Sequence, residues 1–253
     1  MALSFSGLLS TSCSNDDVTD KSLNDRDYQV DAAILNKFVD VDKTQGVYFI
    51  NEAKEGTPEG NFTEKDYQEL QQVSPGNRAI FEEKLNFLNE KLAEVATRSD
   101  VSQIVYSTYG GDTWVRSLQS NPAISIEKSN NLDVRATRAL LGQMYLYYGA
   151  TQYCNFQGAR QIKSNVNIVL YSYEYYFIEV VCKVDDASKS PDLGYPTGGD
   201  KAGSIVLSGS TSSESYPFTW TVDTNASIVD WQFEGIQHAP SGMSSISVDF
   251  LDY

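Results

Sequence analysis

The segment from residue 165 to residue 184, NVNIVLYSYEYYFIEVVCKV, constrains the fold more than any other part of the chain. It is β-branched or aromatic nearly throughout, and such residues favour strands. Tyr171, Tyr173 and Tyr175 recur at every second position, as expected of a strand. Shorter runs of the same character follow, separated by loops rich in Gly, Ser, Pro and Asp, at residues 204–208, 216–222, 227–234 and 244–250. Strands at this spacing predict an antiparallel sheet arranged as a sandwich or a partial barrel.

The region before residue 130 has a different pattern, in which helical periodicity is clear. Ser74 followed by Pro75 is a helix start, and apolar residues then recur every three or four positions from Ile80 to Val95. A second helix start lies at Thr63, with Asp66 three positions later. Residues 38–50 contain two apolar runs around a polar turn and predict a hairpin, whose first arm could instead begin as a short helix near Asp31.

These patterns predict an α+β protein with two regions. Residues 28–130 mix helices with short strands, and residues 131–253 form an antiparallel β region that is sandwich- or barrel-like. The two regions can share one core. Residues 132–148 fit either a buried helix or a strand pair bent at Gly142, and their aromatic residues favour the strand.

The N-terminal segment carries a recognisable order of features. Residues 2–9 are an apolar run, and the small-residue box Leu9-Ser10-Thr11-Ser12 leads directly into Cys13. Ser14, Asn15, Asp16 and Asp17 follow. This order resembles the signal end of Bacteroides-type surface lipoproteins. The resemblance implies that residues 1–12 are removed as a signal segment, that Cys13 carries lipid, and that polar residues 13–27 form a tether. It therefore implies an outer-membrane or cell-surface location with a lipid anchor to the membrane.

Charge and cysteine content exclude several classes of partner and cofactor. The formal net charge is −15, with 34 acidic and 19 basic residues, so the chain repels phosphate backbones and nucleic acid is set aside. Cys154 and Cys182 can form a disulfide outside the cytoplasm, or they can be two buried thiols, and the sequence leaves both open. With one histidine in the chain, no zinc-site spacing exists, and we predict no metal and no cofactor.

Catalytic motifs are weak throughout the chain. The single histidine, His238, lies in a turn-like stretch with no nucleophile-elbow motif in the chain. Ser125 and Lys128 match S-x-x-K, but the other elements of that signature are missing. Glu174 and Glu179 would face opposite sides of a regular strand, which makes them a poor catalytic pair. No catalytic residue is assigned, and binding is favoured over catalysis.

Aromatic residues are the remaining functional signal. The candidate stacking residues for a ligand are Trp114, Trp220, Trp231, Tyr173 and Tyr175, and the alternative for each is core packing. The leading hypothesis is a lipid-anchored, extracytoplasmic binding protein for a glycan or a surface protein. The alternatives are a structural or adhesive surface subunit and a carboxylate-dependent hydrolase.

Overall fold

The computed structural model describes residues 26–58, 60–110, 113–118, 126–128, 139–171, 175–186, 200–209, 213–222, 228–240, 242 and 244–252. Its helices are α1 (Tyr28–Lys37), α2 (Glu64–Gln71) and α3 (Pro75–Ala96). The strands of the first half are β1 (Val39–Asp42), β2 (Val47–Ile50), β3 (Gly56–Thr57), β4 (Gly60–Asn61), β5 (Gln103–Ser107), β6 (Thr113–Ser117) and β7 (Ile126–Lys128). The strands of the second half are β8 (Leu140–Leu146), β9 (Gln152–Gly158), β10 (Gln161–Leu170), β11 (Tyr176–Asp186), β12 (Asp200–Gly209), β13 (Ser213–Thr221), β14 (Val229–Ala239) and β15 (Ser244–Asp252).

The predicted α+β class is confirmed, and the second half is arranged as a sandwich. A four-stranded sheet in the order β13-β10-β15-β8 packs against a seven-stranded sheet in the order β7-β6-β5-β12-β11-β14-β9. All strand pairs within the second half are antiparallel. The parallel pair of β12 with β5 joins the two predicted regions into one sheet.

The core between the two sheets is rich in aromatic rings. Phe233, on β14, is fully buried and packs on Trp231, Phe250, Trp220 and Phe156, with the Phe250 ring centroid 4.1 Å away. Aliphatic side chains from both sheets fill the rest of this layer. Burial of this apolar surface is the main force that holds the sheets together.

The helices form a third layer on the other face of the seven-stranded sheet. Helix α3 begins at Pro75, as predicted, and buries Phe81, Leu85, Leu88, Leu92 and Val95. Ile80, which the periodicity placed on the same face, is exposed instead. Within the described ranges, no helix combines the length and the apolar character that crossing a bilayer requires.

Tyr48 links the helical layer to the sheet. It lies on β2 of the predicted hairpin, which the structure confirms as β1 paired with β2. Its backbone exchanges two hydrogen bonds with the Asn89 amide of α3. Its buried hydroxyl donates to the Ser208 carbonyl and accepts from the Ser107 amide, each at 2.9 Å. One residue therefore fixes the hairpin to α3 through its backbone and to the central strands through its side chain.

The predicted continuous strand over residues 165–184 is wrong. Strand β10 ends at Leu170 in the four-stranded sheet, and β11 begins at Tyr176 in the seven-stranded sheet. The chain thus passes from one layer of the sandwich to the other within this segment. Residues 140–146 form strand β8, as the aromatic content favoured, and residues 132–138 lie outside the described part.

The two cysteines of the folded part are free thiols rather than a disulfide. Phe233 of β14 pairs with Cys154 of β9 on one side and with Cys182 of β11 on the other. The cysteines are therefore two strand spacings apart, about 9.6 Å, which is beyond the Cα separation that a disulfide allows. Burial raises the pKa of both thiols.

Candidate ligand-binding site

The outward face of the four-stranded sheet carries a connected set of polar side chains. We call it the polar face and define it by Gln143, Asn165, Asn167, Ser215 and Asp249. These residues come from all four strands of the sheet. The register places Asn165 beside Asp249 and Asp249 beside Gln143, while Asn167 pairs with Ser215 in the next row. Four separate stretches of the sequence therefore meet on one surface.

Side-chain hydrogen bonds join the polar face into one network. The Asp249 carboxylate accepts from the Asn167 amide at 2.9 Å and from the Gln143 amide at 2.6 Å. The Asn167 oxygen accepts from the Asn165 amide at 3.0 Å. The Ser215 hydroxyl lies 2.8 Å from the Asn165 oxygen and 3.0 Å from the Asn167 oxygen. These contacts fix the orientations of exposed and half-buried side chains, which lowers the entropy that a ligand must remove on binding.

Strict alternation along the strands explains why these residues face outwards. On β10, Ile162, Ser164, Val166, Ile168 and Leu170 are buried, so the residues between them point to solvent. Strand β15 shows the same pattern, with Ile246, Val248 and Phe250 inside. Because successive side chains point to opposite faces of a strand, burial of the apolar side chains directs the polar side chains between them towards solvent.

Tyr145 extends the polar face with an aromatic surface. It lies on β8 beside Ser247 of β15, in the same row as Asn167, and 52% of its surface is exposed. Tyr147 and Tyr148 follow in the connection from β8 to β9 and are also exposed. A tyrosine ring offers an apolar face together with a hydroxyl, and it is therefore suited to a ligand that is partly polar and partly apolar.

Two of the predicted stacking residues are part of the core. Trp220 and Trp231 are 8% and 1% exposed, and they pack around Phe233 between the sheets. Their indole N–H groups donate to the Ser164 hydroxyl and the Ala159 carbonyl. Their prediction as ligand-stacking residues is wrong, because both project from the inward-facing positions of their strands.

The other predicted aromatic residues have different environments. Trp114 is half-buried against the helical layer, with the Lys43 ammonium 3.5 Å above its ring. Tyr175 packs against Phe87 of α3, with ring centroids 6.2 Å apart. Tyr173 lies outside the described residues, as do Glu174, Ser125 and Cys13. Tyr175, which was predicted as a ligand-stacking residue, lines a concavity of the surface.

That concavity is a groove of about 320 Å³ between α3 and strands β11 and β14. We call it the helix groove. Phe87 and Tyr175 form one end, while Arg98, Glu179 and His238 form the other. Arg98 binds both oxygens of Glu179, at 2.6 and 3.1 Å, and also both oxygens of Asp100. His238 Nε2 lies 3.6 Å from Glu179.

The charge state of Glu179 follows from these neighbours. Burial alone would raise the pKa of this carboxyl, but His238 and Arg98 outweigh burial and lower the pKa to about 2. Hydrogen bonds to Asp100 and Glu179 raise the pKa of Arg98. A general acid must be protonated at its working pH, so Glu179 is unsuited to that role in glycoside hydrolysis. Among the side chains that the structure describes, no cluster of three His, Cys, Asp or Glu residues could hold a metal ion.

Comparisons with known proteins give little beyond this geometry. No protein-family model and no curated protein matches the chain. One solved structure with a detectable similarity is described as "CBM4 structure and function"; it shares 10% sequence identity, with a TM-score of 0.22, over 62% of this chain and 79% of that one. Agreement this low carries no inference about fold or function. The class of this protein therefore rests on its own features: a two-sheet sandwich with a helical layer, a networked polar face and a separate groove.

Proposed function

We propose that this chain is a lipid-anchored surface protein that binds neutral glycans on its polar face. The observation that carries the proposal is the hydrogen-bonded network of Gln143, Asn165, Asn167, Ser215 and Asp249 across four adjacent strands. A hydrogen-bonded row of amides on a solvent-facing sheet is poorly explained by stability, because exposed polar contacts contribute little to folding.

The chemistry of the polar face matches that of sugar hydroxyls. A hydroxyl both donates and accepts, and each amide of Asn or Gln offers two donors and an acceptor in one plane. The Asp249 carboxylate adds strong acceptor capacity at the centre of the face. Four strands spaced about 4.8 Å apart make a surface about 14 Å wide, which accommodates a short oligosaccharide lying across the strands.

Tyr145 supplies the apolar contact that such a ligand needs. The faces of a pyranose ring expose C–H groups, and these can pack on an aromatic ring while the hydroxyls contact the amides. The position of Tyr145 beside Ser247 puts its ring at the β8 edge of the polar face. The sugar at that edge is therefore expected to stack on Tyr145.

The balance of charge favours neutral over acidic glycans. Asp249 is an acidic member of the network, and Lys163 lies in the adjacent outward row of β10 beside Thr219 and Leu251. The protein as a whole carries a formal charge of −15. A polyanionic glycan would be repelled by this field, whereas an uncharged one would not.

The lipid anchor is the part of the proposal supported by the N-terminal sequence. Cys13 follows a small-residue box, and polar residues 13–27 would separate the sandwich from the membrane. We expect Cys13→Ala to move the protein from the membrane fraction to the soluble fraction after cell lysis. The matched control is Cys154→Ala, which should leave the membrane fraction unchanged. Equal membrane association of Cys13→Ala and wild type would refute lipidation.

Affinity electrophoresis tests the glycan proposal. The full chain with Cys13→Ala is run in native gels that contain xyloglucan, laminarin, amylopectin or α-mannan, with alginate and polygalacturonate as acidic counterparts. We expect at least one neutral polysaccharide to retard migration, and Tyr145→Ala to remove most of that retardation. Tyr153→Ala, an equally exposed tyrosine on β9, is the matched control. Retardation only in the acidic gels, or in none, would contradict the proposal.

A further inference from the structure

The helix groove is a second concave site, and it lies on the helical side of the seven-stranded sheet, away from the polar face. One wall runs from Phe87 to Val95, about 12 Å apart along the axis of α3, and continues to Arg98 after the helix has ended. The opposite wall follows the chain from Tyr175 to Glu179 in β11. Tyr175 contacts Phe87 and Glu179 contacts Arg98, so the two walls run in the same direction. The groove is therefore elongated.

Aromatic rings line the groove at both ends. At one end, the Phe87 and Tyr175 rings are inclined by 46°, and 47% of the Phe87 surface is exposed. At the other end, the centroids of the Phe177 and His238 rings are 5.3 Å apart. The other apolar side chains of the lining are aliphatic: Leu88, Val95 and Ala239. The lining therefore offers mainly apolar and aromatic contacts.

The charged side chains that line the groove are paired with one another, and their formal charges cancel. Lys91 pairs with Glu94 at 2.9 Å, and Arg98 binds both oxygens of Glu179 at 2.6 and 3.1 Å. The Lys91 ammonium also lies 5.6 Å from the Phe87 ring centroid, so this ring already has a cation from the protein itself. A charged ligand would lose part of its hydration in the groove without meeting an unpaired opposite charge.

We infer that the helix groove binds an uncharged aromatic molecule of one or two rings, which packs on Phe87 and Tyr175. A volume of about 320 Å³ is at the lower end of small-molecule sites and suits a ligand of this size. Offset or inclined packing of the ligand on the two rings adds to the free energy of burying its apolar surface. At the other end, the His238 side chain is 39% exposed and offers a ring nitrogen to an uncharged hydroxyl.

Three probes with the same ring system test the inference: 2-naphthalenemethanol, 2-naphthoate and 2-naphthylmethylammonium. Each is titrated into the full chain with Cys13→Ala, and binding is measured from protein NMR shifts. The titrations are made at about 0.15 M salt, where screening over about 8 Å limits the effect of the net charge of −15. We expect the alcohol to bind at least about fivefold more tightly than either ion. Binding of either ion as tight as that of the alcohol, or no binding of the alcohol at about 1 mM, would overturn the inference.

A pair of variants on α3 tests whether the alcohol binds in the helix groove. Phe87→Ala removes one of the two rings on which the ligand packs, and it should weaken binding of 2-naphthalenemethanol at least about fivefold. Ile80→Ala removes an apolar side chain of the same helix that is equally exposed but does not line the groove, and it should leave the affinity unchanged. Equal affinities of the two variants would place the ligand elsewhere and overturn the inference.

A second pair of variants tests the balance of charge. Lys91→Met leaves Glu94 without its partner and gives the groove lining a net negative charge, so the ammonium probe should bind several-fold more tightly than it binds the unchanged groove. Lys65→Met is the control, because Lys65 also pairs with a glutamate of its own helix, Glu69 on α2, but does not line the groove. An ammonium affinity that is unchanged in Lys91→Met, or raised equally in Lys65→Met, would contradict the charge balance on which the inference rests.

Discussion

Replacement of Phe233 by alanine is expected to lower the free energy of unfolding by about 3–5 kcal/mol, the largest effect that we predict. Phe233 is fully buried, and four aromatic rings pack around it. Alanine would leave a cavity at the centre of the sandwich, and rings fixed on two different sheets cannot easily collapse into it. The expected loss combines the transfer free energy of the side chain with the cost of that cavity.

Urea unfolding followed by tryptophan fluorescence measures this effect, because Trp220 and Trp231 lie in the same cluster. Tyr153→Ala is the control. It also removes an aromatic ring, but from β9, the strand next to β14, where the Tyr153 side chain is 60% exposed. We expect it to change the free energy of unfolding by about 0.5 kcal/mol or less. If Phe233→Ala and Tyr153→Ala were equally stable, the two sheets would not pack as described.

Replacement of Arg98 by methionine is expected to lower the free energy of unfolding by about 2 kcal/mol at pH 7, less than for a fully buried pair because the Arg98 side chain is 37% exposed. Methionine keeps most of the apolar stem of the arginine but leaves the Glu179 carboxylate, 10% exposed, without its guanidinium partner. Arg78→Met, on α3 itself, is the matched control. Arg78 pairs with Glu52 and Glu82, whose side chains are largely exposed, so its loss should cost less than about 1 kcal/mol.

The pH dependence of this effect has a defined sign. The Glu179 pKa lies near 2 in the folded protein, below its ordinary value of 4.5. The stabilisation from this carboxylate is therefore complete above about pH 5 and is lost as the pH falls from the unfolded pKa towards the folded pKa. The difference in unfolding free energy between wild type and Arg98→Met should shrink over that interval. A difference that stays constant down to pH 2 would contradict the assigned ion pair.

Local signals in the sequence predicted the local structure well. The Ser74-Pro75 start and the apolar periodicity predicted α3, and the Thr63–Asp66 spacing predicted α2. The Thr63 backbone N–H donates a hydrogen bond to the Asp66 carboxylate, and α2 begins at the next residue, Glu64. The Asp- and Gly-containing turn gave the β1–β2 hairpin, in which Gly46 has a φ of +72°. Each of these features depends on interactions within a few residues, which is why they can be recognised from sequence alone.

Features that depend on tertiary packing were not predictable in the same way. The passage of the chain from the four-stranded sheet to the seven-stranded sheet between β10 and β11 gives no signal in the sequence, because strand propensity is equally high in both strands. Whether Trp220 and Trp231 face the core or solvent depends on which face of each strand is covered. In a short strand, a shift of one residue in the pairing register would exchange the core-facing and the solvent-facing side chains.

The polar face could be predicted only in part. Alternation of polar and apolar residues along β10 marks Asn165 and Asn167 as outward-facing. Their partner Asp249, however, is 82 positions from Asn167 in sequence, and only the register of β10 with β15 brings the two together. The helix groove is similar, since Arg98 and Glu179 are 81 positions apart and neither lies in a motif.

The most direct test of the central claim, glycan binding on the polar face, is calorimetric titration of two asparagine variants. The ligand is an oligosaccharide of the neutral polysaccharide that retards the wild type most. Asn167→Ala removes the amide that joins both rows of the polar face, and Asn155→Ala removes an exposed asparagine from β9 on the other sheet. We predict at least a tenfold loss of affinity, about 1.4 kcal/mol, for Asn167→Ala, and none for Asn155→Ala. Unchanged affinity of Asn167→Ala, or an equal loss in both variants, would contradict the assignment.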